Sequence, residues 1–191
     1  MRRLYLYGLG FVAIALLLVL RGGSGGHSYS HPAVAAFNAQ GTTASWFAQI
    51  RPFCNSVEVE TGHRRNPPPK GMQGSAYSAA CYALAGKVDQ ARQIILELEG
   101  DDRWRAAGVV FAVAHPVADA GDDASAGPIM EMVVEFWPNH YMALYHAGIA
   151  RVGLGDRELA RDYLERFLQY YDREDGWRSS ALAALEDIGA R

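Results

Sequence analysis

Gly86-Lys-Val-Asp-Gln-Ala91, Gly121-Asp-Asp-Ala-Ser-Ala126 and Gly155-Asp-Arg-Glu-Leu-Ala160 are three copies of one pattern, Gly-x-x-x-x-Ala. The glycines stand 35 and then 34 residues apart, and so do the alanines. An interval of about 34 residues suits a stack of helix–turn–helix units, each burying its apolar face against its neighbours. Glycine supplies the free φ that a turn between two helices needs. Alanine then opens an apolar stripe on the second helix, continued four and seven residues later as Ile95–Leu98, Met130–Val133 and Leu164–Phe167. That spacing is one helix face.

Working outward, the first helix of each unit is predicted at about 74–85, 103–116 and 139–153, and the second at about 87–99, 123–136 and 156–171. The first helices present small residues, Ala79, Ala114 and Gly148, at the facing positions. Small against small allows close approach. A last helix, about 176–189, carries Leu182, Leu185 and Ile188 and reads as the cap that a solenoid's final apolar face needs.

These residues resemble the tetratricopeptide repeat (TPR) family over about 72–191. The third unit matches best, with Leu144, Ala147-Gly148, Gly155, Ala160 and Leu164. The first unit gives Ala79, Tyr82, Gly86, Ala91 and Ile95; the second gives Ala114, Gly121, Ala126, Met130 and the terminal Pro138. Ser75, Val110 and Leu144 replace the aromatic expected near the start of each unit, and Val117 and Arg151 replace the usual Tyr inside the first helix. The resemblance implies an all-α, TPR-like solenoid acting as a scaffold or adaptor rather than an enzyme, with no cofactor. It also implies a groove, lined by the first helices, that binds a protein or peptide segment. In this register the groove takes Gln73, Ala76 and Ala80, then Phe111, His115 and Asp119, then Met142, Tyr145 and Ile149. It has no basic cluster to clamp an acidic C-terminal tail.

The N-terminal part differs in character. Arg2 and Arg3 precede an uncharged apolar run, Leu4 to Leu20, closed by Arg21. A run of that length suits a spanning helix better than a signal-peptide core. Residues 1–21 are therefore expected to be a signal anchor, or a cleaved signal peptide. Two arginines before the run favour an inside N-terminus, which places the remainder outside the cytoplasm. The expected location is a bacterial cell membrane, single-pass with a periplasmic domain, or free in the periplasm if the signal is cleaved. Residues 22–30, with Gly22-Gly-Ser-Gly-Gly26, read as a flexible linker. Residues 31–71 read as an irregular helical N-cap, with helices at about 32–40 and 44–60, the second kinked or broken at Pro52. Thr61 to Gly74, with Pro67-Pro68-Pro69, reads as a connector.

Composition narrows the class of partner. Of 191 residues, 18 are basic and 21 acidic, for a net charge of −3. That balance argues against a nucleic-acid binder. The only lysines are Lys70 and Lys87, an arginine bias typical of a GC-rich bacterial genome. Arg157 to Arg166 alternates in charge and reads as a solvated helix face.

The most polar unusual stretch is His115-Pro116-Val-Ala-Asp119-Ala-Gly-Asp122-Asp123. Its structural reading is a helix end at His115, a proline stop, and Asp122 or Asp123 capping the next helix. Its functional reading is a metal-dependent or other hydrolase using His115 and Asp119, although no calcium-loop or His-x-x-x-His spacing is present. His140 and His146, six apart, fall on different helix faces, so a shared metal is not expected. Asn139 is the expected cap of the helix that follows. Of Tyr170 and Tyr171, one is expected in the core. Cys54, Glu58 and His63 lack the spacing of a nucleophile and its base. An exported compartment permits a Cys54–Cys81 disulfide, but both contexts read as those of free core thiols. A further alternative is a self-associating envelope protein, its groove filled by its own Pro67–Pro69 connector.

Overall fold

In the computed structural model, residues 42–190 are described, and they form a succession of helices. These are α1 (42–50), α2 (Val59–Arg65), α3 (Met72–Leu84), α4 (Val88–Leu96), α5 (Asp102–Asp119), α6 (Asp123–Phe136), α7 (Tyr141–Leu154), α8 (Arg157–Tyr170) and α9 (Gly176–Ala190). A short 3-10 turn, Arg51–Phe53, follows α1. No strand occurs among the described residues.

Three helix pairs, α3/α4, α5/α6 and α7/α8, share one turn chemistry. Gly86, Gly121 and Gly155 adopt φ of 74°, 87° and 76°, which a residue with a Cβ enters only at a cost. The N–H just after each glycine donates to a carbonyl five residues back: Lys87 to Tyr82 at 2.9 Å, Asp122 to Val117 at 3.2 Å, and Asp156 to Arg151 at 3.0 Å. This bond closes the end of the first helix. The second helix then starts on a cap in two of the pairs. Asp122 accepts from Ser125 N at 3.1 Å, and Asp156 accepts from Leu159 N at 3.3 Å. Each cap satisfies an amide that the helix itself leaves unpaired.

Small residues set how closely the helices pack. Ala79, Ala91, Ala114, Ala126 and Ala160 are all buried. Each first helix packs on its second; α5 also packs on α3, and α7 on α6. Gly127 of α6 meets Ala150 of α7 so closely that a Cβ at 127 would stand 2.4 Å from that of Ala150. The α9 helix covers the end of the stack against α8 and α7, with Ala181 and Ile188 buried and Tyr145 Oη 3.0 Å from Ser180 Oγ. Leu182, expected in this contact, is exposed, because the small Ala181 rather than Leu182 is the residue turned inward. Tyr171 is the buried member of its pair, and Tyr170 is half exposed.

Several expectations need correction. The helix expected over 44–60 is broken: α1 stops at residue 50, the 3-10 turn contains Pro52, and α2 begins at Val59. The connector expected from Thr61 shrinks to 66–71, because α2 runs on to Arg65 and α3 starts at Met72. The first helix of the middle pair does not end at His115. It continues through Pro116 to Asp119. Pro116 lies in the last turn, and its ring removes only the bond to the carbonyl of Ala112, an exposed residue, so water can replace it.

Cys54 and Cys81 are joined in a disulfide, with Cα atoms 4.8 Å apart, and are not free thiols. Cys54 sits just after the 3-10 turn rather than inside a helix. Cys81 faces a small apolar cluster of Trp46, Phe47, Ile50, Val59 and Ala85, which seats the N-terminal elements on α3. The apolar run at 4–20, the linker at 22–30 and the helix expected at 32–40 lie outside the described residues. Among the described residues, no helix is long and apolar enough to cross a membrane.

Candidate functional site

The continuation of α5 past Pro116 places Asp119 one turn beyond His115. His115 Nε2 lies 3.3 Å from Asp119 Oδ1. The next first helix, α7, brings His146 to the same carboxylate, with Nε2 3.7 Å from Asp119 Oδ1. The start of α6 supplies a second carboxylate. Asp123 follows the Asp122 cap, and its Oδ1 lies 3.1 Å from His146 Nδ1. Four side chains from three helices therefore meet at one place.

Their environments differ. The His146 side chain is only 3% exposed, while Asp119 is 44% exposed. Burial pushes His146 below the ordinary imidazole value, and the bond to Asp123 opposes that without reversing it. A neutral imidazole carries one ring proton. The acceptor on Asp123 places that proton on Nδ1, which leaves a lone pair on Nε2. Nε2 of His146 and Nε2 of His115 are both buried without a hydrogen-bond partner among the described residues. Aromatic rings wall the cluster: Phe111 stacks on His115 with centroids 4.6 Å apart, and Trp177 meets His146 edge-on at 5.7 Å.

His140 has another role. Its Nδ1 accepts from Ala143 N at 3.3 Å and caps α7, in place of the expected Asn139. Its ring packs on Phe111 with centroids 4.0 Å apart, and burial pushes its pKa down. Cys54, Glu58 and His63 form no catalytic set. Cys54 has no thiol, Glu58 accepts from Asn55 at 2.8 Å, and His63 Nδ1 donates to the Val59 carbonyl at 2.8 Å.

The residues expected to line the groove separate into two groups. Gln73, Phe111, His115, Met142 and Ile149 are half-buried, and Asp119 is exposed. Ala76, Ala80 and Tyr145 are buried in the core and offer a partner almost no surface. The helix face that carries Ala76 and Ala80 is covered by neighbouring helices.

A cleft of about 520 Å³ opens on the solvent side of α5, lined by Phe47, Tyr77, Trp104, Val109, Val113 and Trp137 among others. Trp104, Gly108, Ala112 and Pro116 recur every four residues along this side. Trp104 stands edge-on to Trp137 at 5.2 Å and remains 40% exposed. Gly108 makes room for the Trp137 ring, 3.3 Å from where a Cβ would be. Sequence reasoning missed this cleft, although the four-residue spacing from Trp104 to Pro116 was a readable signal. It also missed His146 and Asp123 as partners of His115 and Asp119, since no local spacing links them.

Residues 142–173 match the tetratricopeptide repeat family, a span covering nearly all of α7 and the whole of α8. No curated protein and no solved structure gives a significant match to the chain. With that match on the third helix pair, and the same glycine-closed turn in all three, the described residues form an all-helical stack similar to tetratricopeptide repeats.

Proposed function

We propose that this protein is a membrane-tethered, extracytoplasmic adaptor that holds a segment of another protein in the cleft along α5. The observation that carries the reading is Trp104 on a first helix of a repeat stack, 40% exposed in a cleft with the half-buried rings of Tyr77 and Trp137. Aromatic side chains left in water on a rigid surface are the usual anchors of protein recognition. Arg51 and Arg105 also line the cleft, so the segment that fits is apolar with an acidic residue. The apolar run Leu4 to Leu20 supports the tether, and the Cys54–Cys81 disulfide supports an oxidising compartment.

A photo-crosslinking amino acid placed at Val109 in the full chain, in a membrane fraction, tests this. The expected result is a discrete crosslinked partner that is absent when the probe sits at Glu158 on α8. Trp104→Ala should abolish it. Equal labelling from both positions, or labelling indifferent to Trp104, would sink the reading.

A further inference from the structure

Two buried ring nitrogens and a carboxylate oxygen converge between α5 and α7. With the Nδ1 proton of His146 committed to Asp123, its Nε2 faces the Asp119 carboxylate at 3.7 Å with no proton between them. Two acceptors in that position repel, and a cation between them removes the conflict. His115 Nε2 converges on the same oxygen: it is buried, has no hydrogen-bond partner among the described residues, and lies 3.3 Å from Asp119 Oδ1.

The dimensions suit a metal. Zinc bonds to nitrogen and oxygen of about 2.0–2.2 Å in tetrahedral array put neighbouring donors about 3.3–3.6 Å apart. One donor atom from each of His115, Asp119 and His146 lies within 4.8 Å of the other two, so a small closure of one edge completes the triangle. Two imidazoles with one carboxylate select a transition metal over calcium or magnesium, which take oxygen ligands. Asp123 behind His146 is the outer partner that metal-binding histidines typically have, fixing the tautomer and the ring. The exposed side of Asp119 provides a path inward.

We propose that His115, Asp119 and His146 bind one divalent transition-metal ion of the zinc class, with Asp123 as the positioning residue and at least one coordination position open to solvent. This inference is independent of the aromatic cleft and of its partner.

The test uses the full chain with His27 and His31 replaced by Ala, so that histidines outside the described residues contribute nothing. After chelation and dialysis, calorimetric titration with zinc chloride should show one equivalent bound. Cobalt(II) should give the intense visible bands of four-coordinate metal, and X-ray absorption should show two imidazole ligands. His115→Ala and His146→Ala should lose the equivalent, His63→Gln should keep it, and Asp123→Asn should weaken it about 10–100-fold. If His146→Ala fails to fold, Asp119→Asn at the exposed ligand replaces it and should also lose the cobalt bands. No bound equivalent in the parent protein, or binding unchanged in His115→Ala and Asp119→Asn, would overturn the assignment.

Discussion

Gly148 of α7 leaves no space between its backbone and Leu164 of α8. A Cβ at 148 would stand 2.7 Å from Leu164 Cγ and 2.8 Å from Cδ2. Leu164 is itself wholly buried, so it has nowhere to move. Gly148→Ala should therefore destabilise the protein, the overpacking cost of about 1–3 kcal/mol outweighing the helix-propensity gain of about 1 kcal/mol. Gly153, on the same helix, has nothing within 4 Å of a Cβ. Gly153→Ala should stabilise by about 0.5 kcal/mol. Urea unfolding of the two variants reads opposite signs, and a shared sign would disprove this account of the interface.

That contact shows what a single chain makes legible. The period put Gly148, Ala160 and Leu164 in register because local spacing repeats wherever helices pair in the same way. The ends of α5 were harder. Pro116 reads as a stop, yet three further residues follow in the helix, because a proline near a helix end costs only one bond, to an exposed residue. The disulfide and the histidine cluster were not legible for another reason. Cys54 meets Cys81, and His115 meets His146, through packing between elements, which no spacing along one helix records. His115 and Asp119 were visible as a pair; the third and fourth members needed α7 and α6 to be docked.

His63 should make stability fall in mild acid. It is 9% exposed, Nδ1 donates to Val59, and Nε2 has no hydrogen-bond partner among the described residues. Burial pushes its pKa below the ordinary imidazole value of about 6.5. Above that value both folded and unfolded forms are neutral. As pH drops below it, the unfolded chain takes up a proton that the folded chain refuses, so stability declines until pH passes the folded value. His63→Gln removes this contribution, and its stability curve between about pH 6.5 and 5 should be flatter than that of the parent, by at most about 1.4 kcal/mol per pH unit. Parallel curves would show that His63 does not titrate differently on folding.

Arg151 fixes α7 to α6 through Glu131. Its Nη2 donates to Glu131 Oε2 at 2.7 Å, and its Nε donates to the other oxygen, a two-pronged pairing. The pair is about a quarter exposed on each side, so its net worth stays near the upper end of surface ion pairs, about 1 kcal/mol. Arg151→Lys, which keeps the charge but not the fork, should lose most of that amount. A double-mutant cycle with Glu131→Gln should return a coupling of about 0.5–1 kcal/mol that shrinks at high salt. A coupling of zero at low salt would mean that the helices are held by their apolar faces alone.

The Cys54–Cys81 bridge spans 27 residues of chain and joins the N-terminal elements to α3. Constraining a loop of that length in the unfolded state contributes about 3–4 kcal/mol. Trp46, Ile50 and Val59 are buried on the same side, so the N-terminal elements keep an apolar seat when the bridge is reduced. The expected consequence is twofold. Reduction, or Cys54→Ser with Cys81→Ala, should lower the denaturant midpoint, and hydrogen exchange should quicken over 42–65 well before it does over α7 and α8. The second part follows from where the contacts lie: α7 and α8 are held by α6, α9 and one another, none of which the bridge touches. Exchange that rises equally across α7 and α8 under native conditions would show that the bridge stabilises the stack as a whole rather than its N-terminal end.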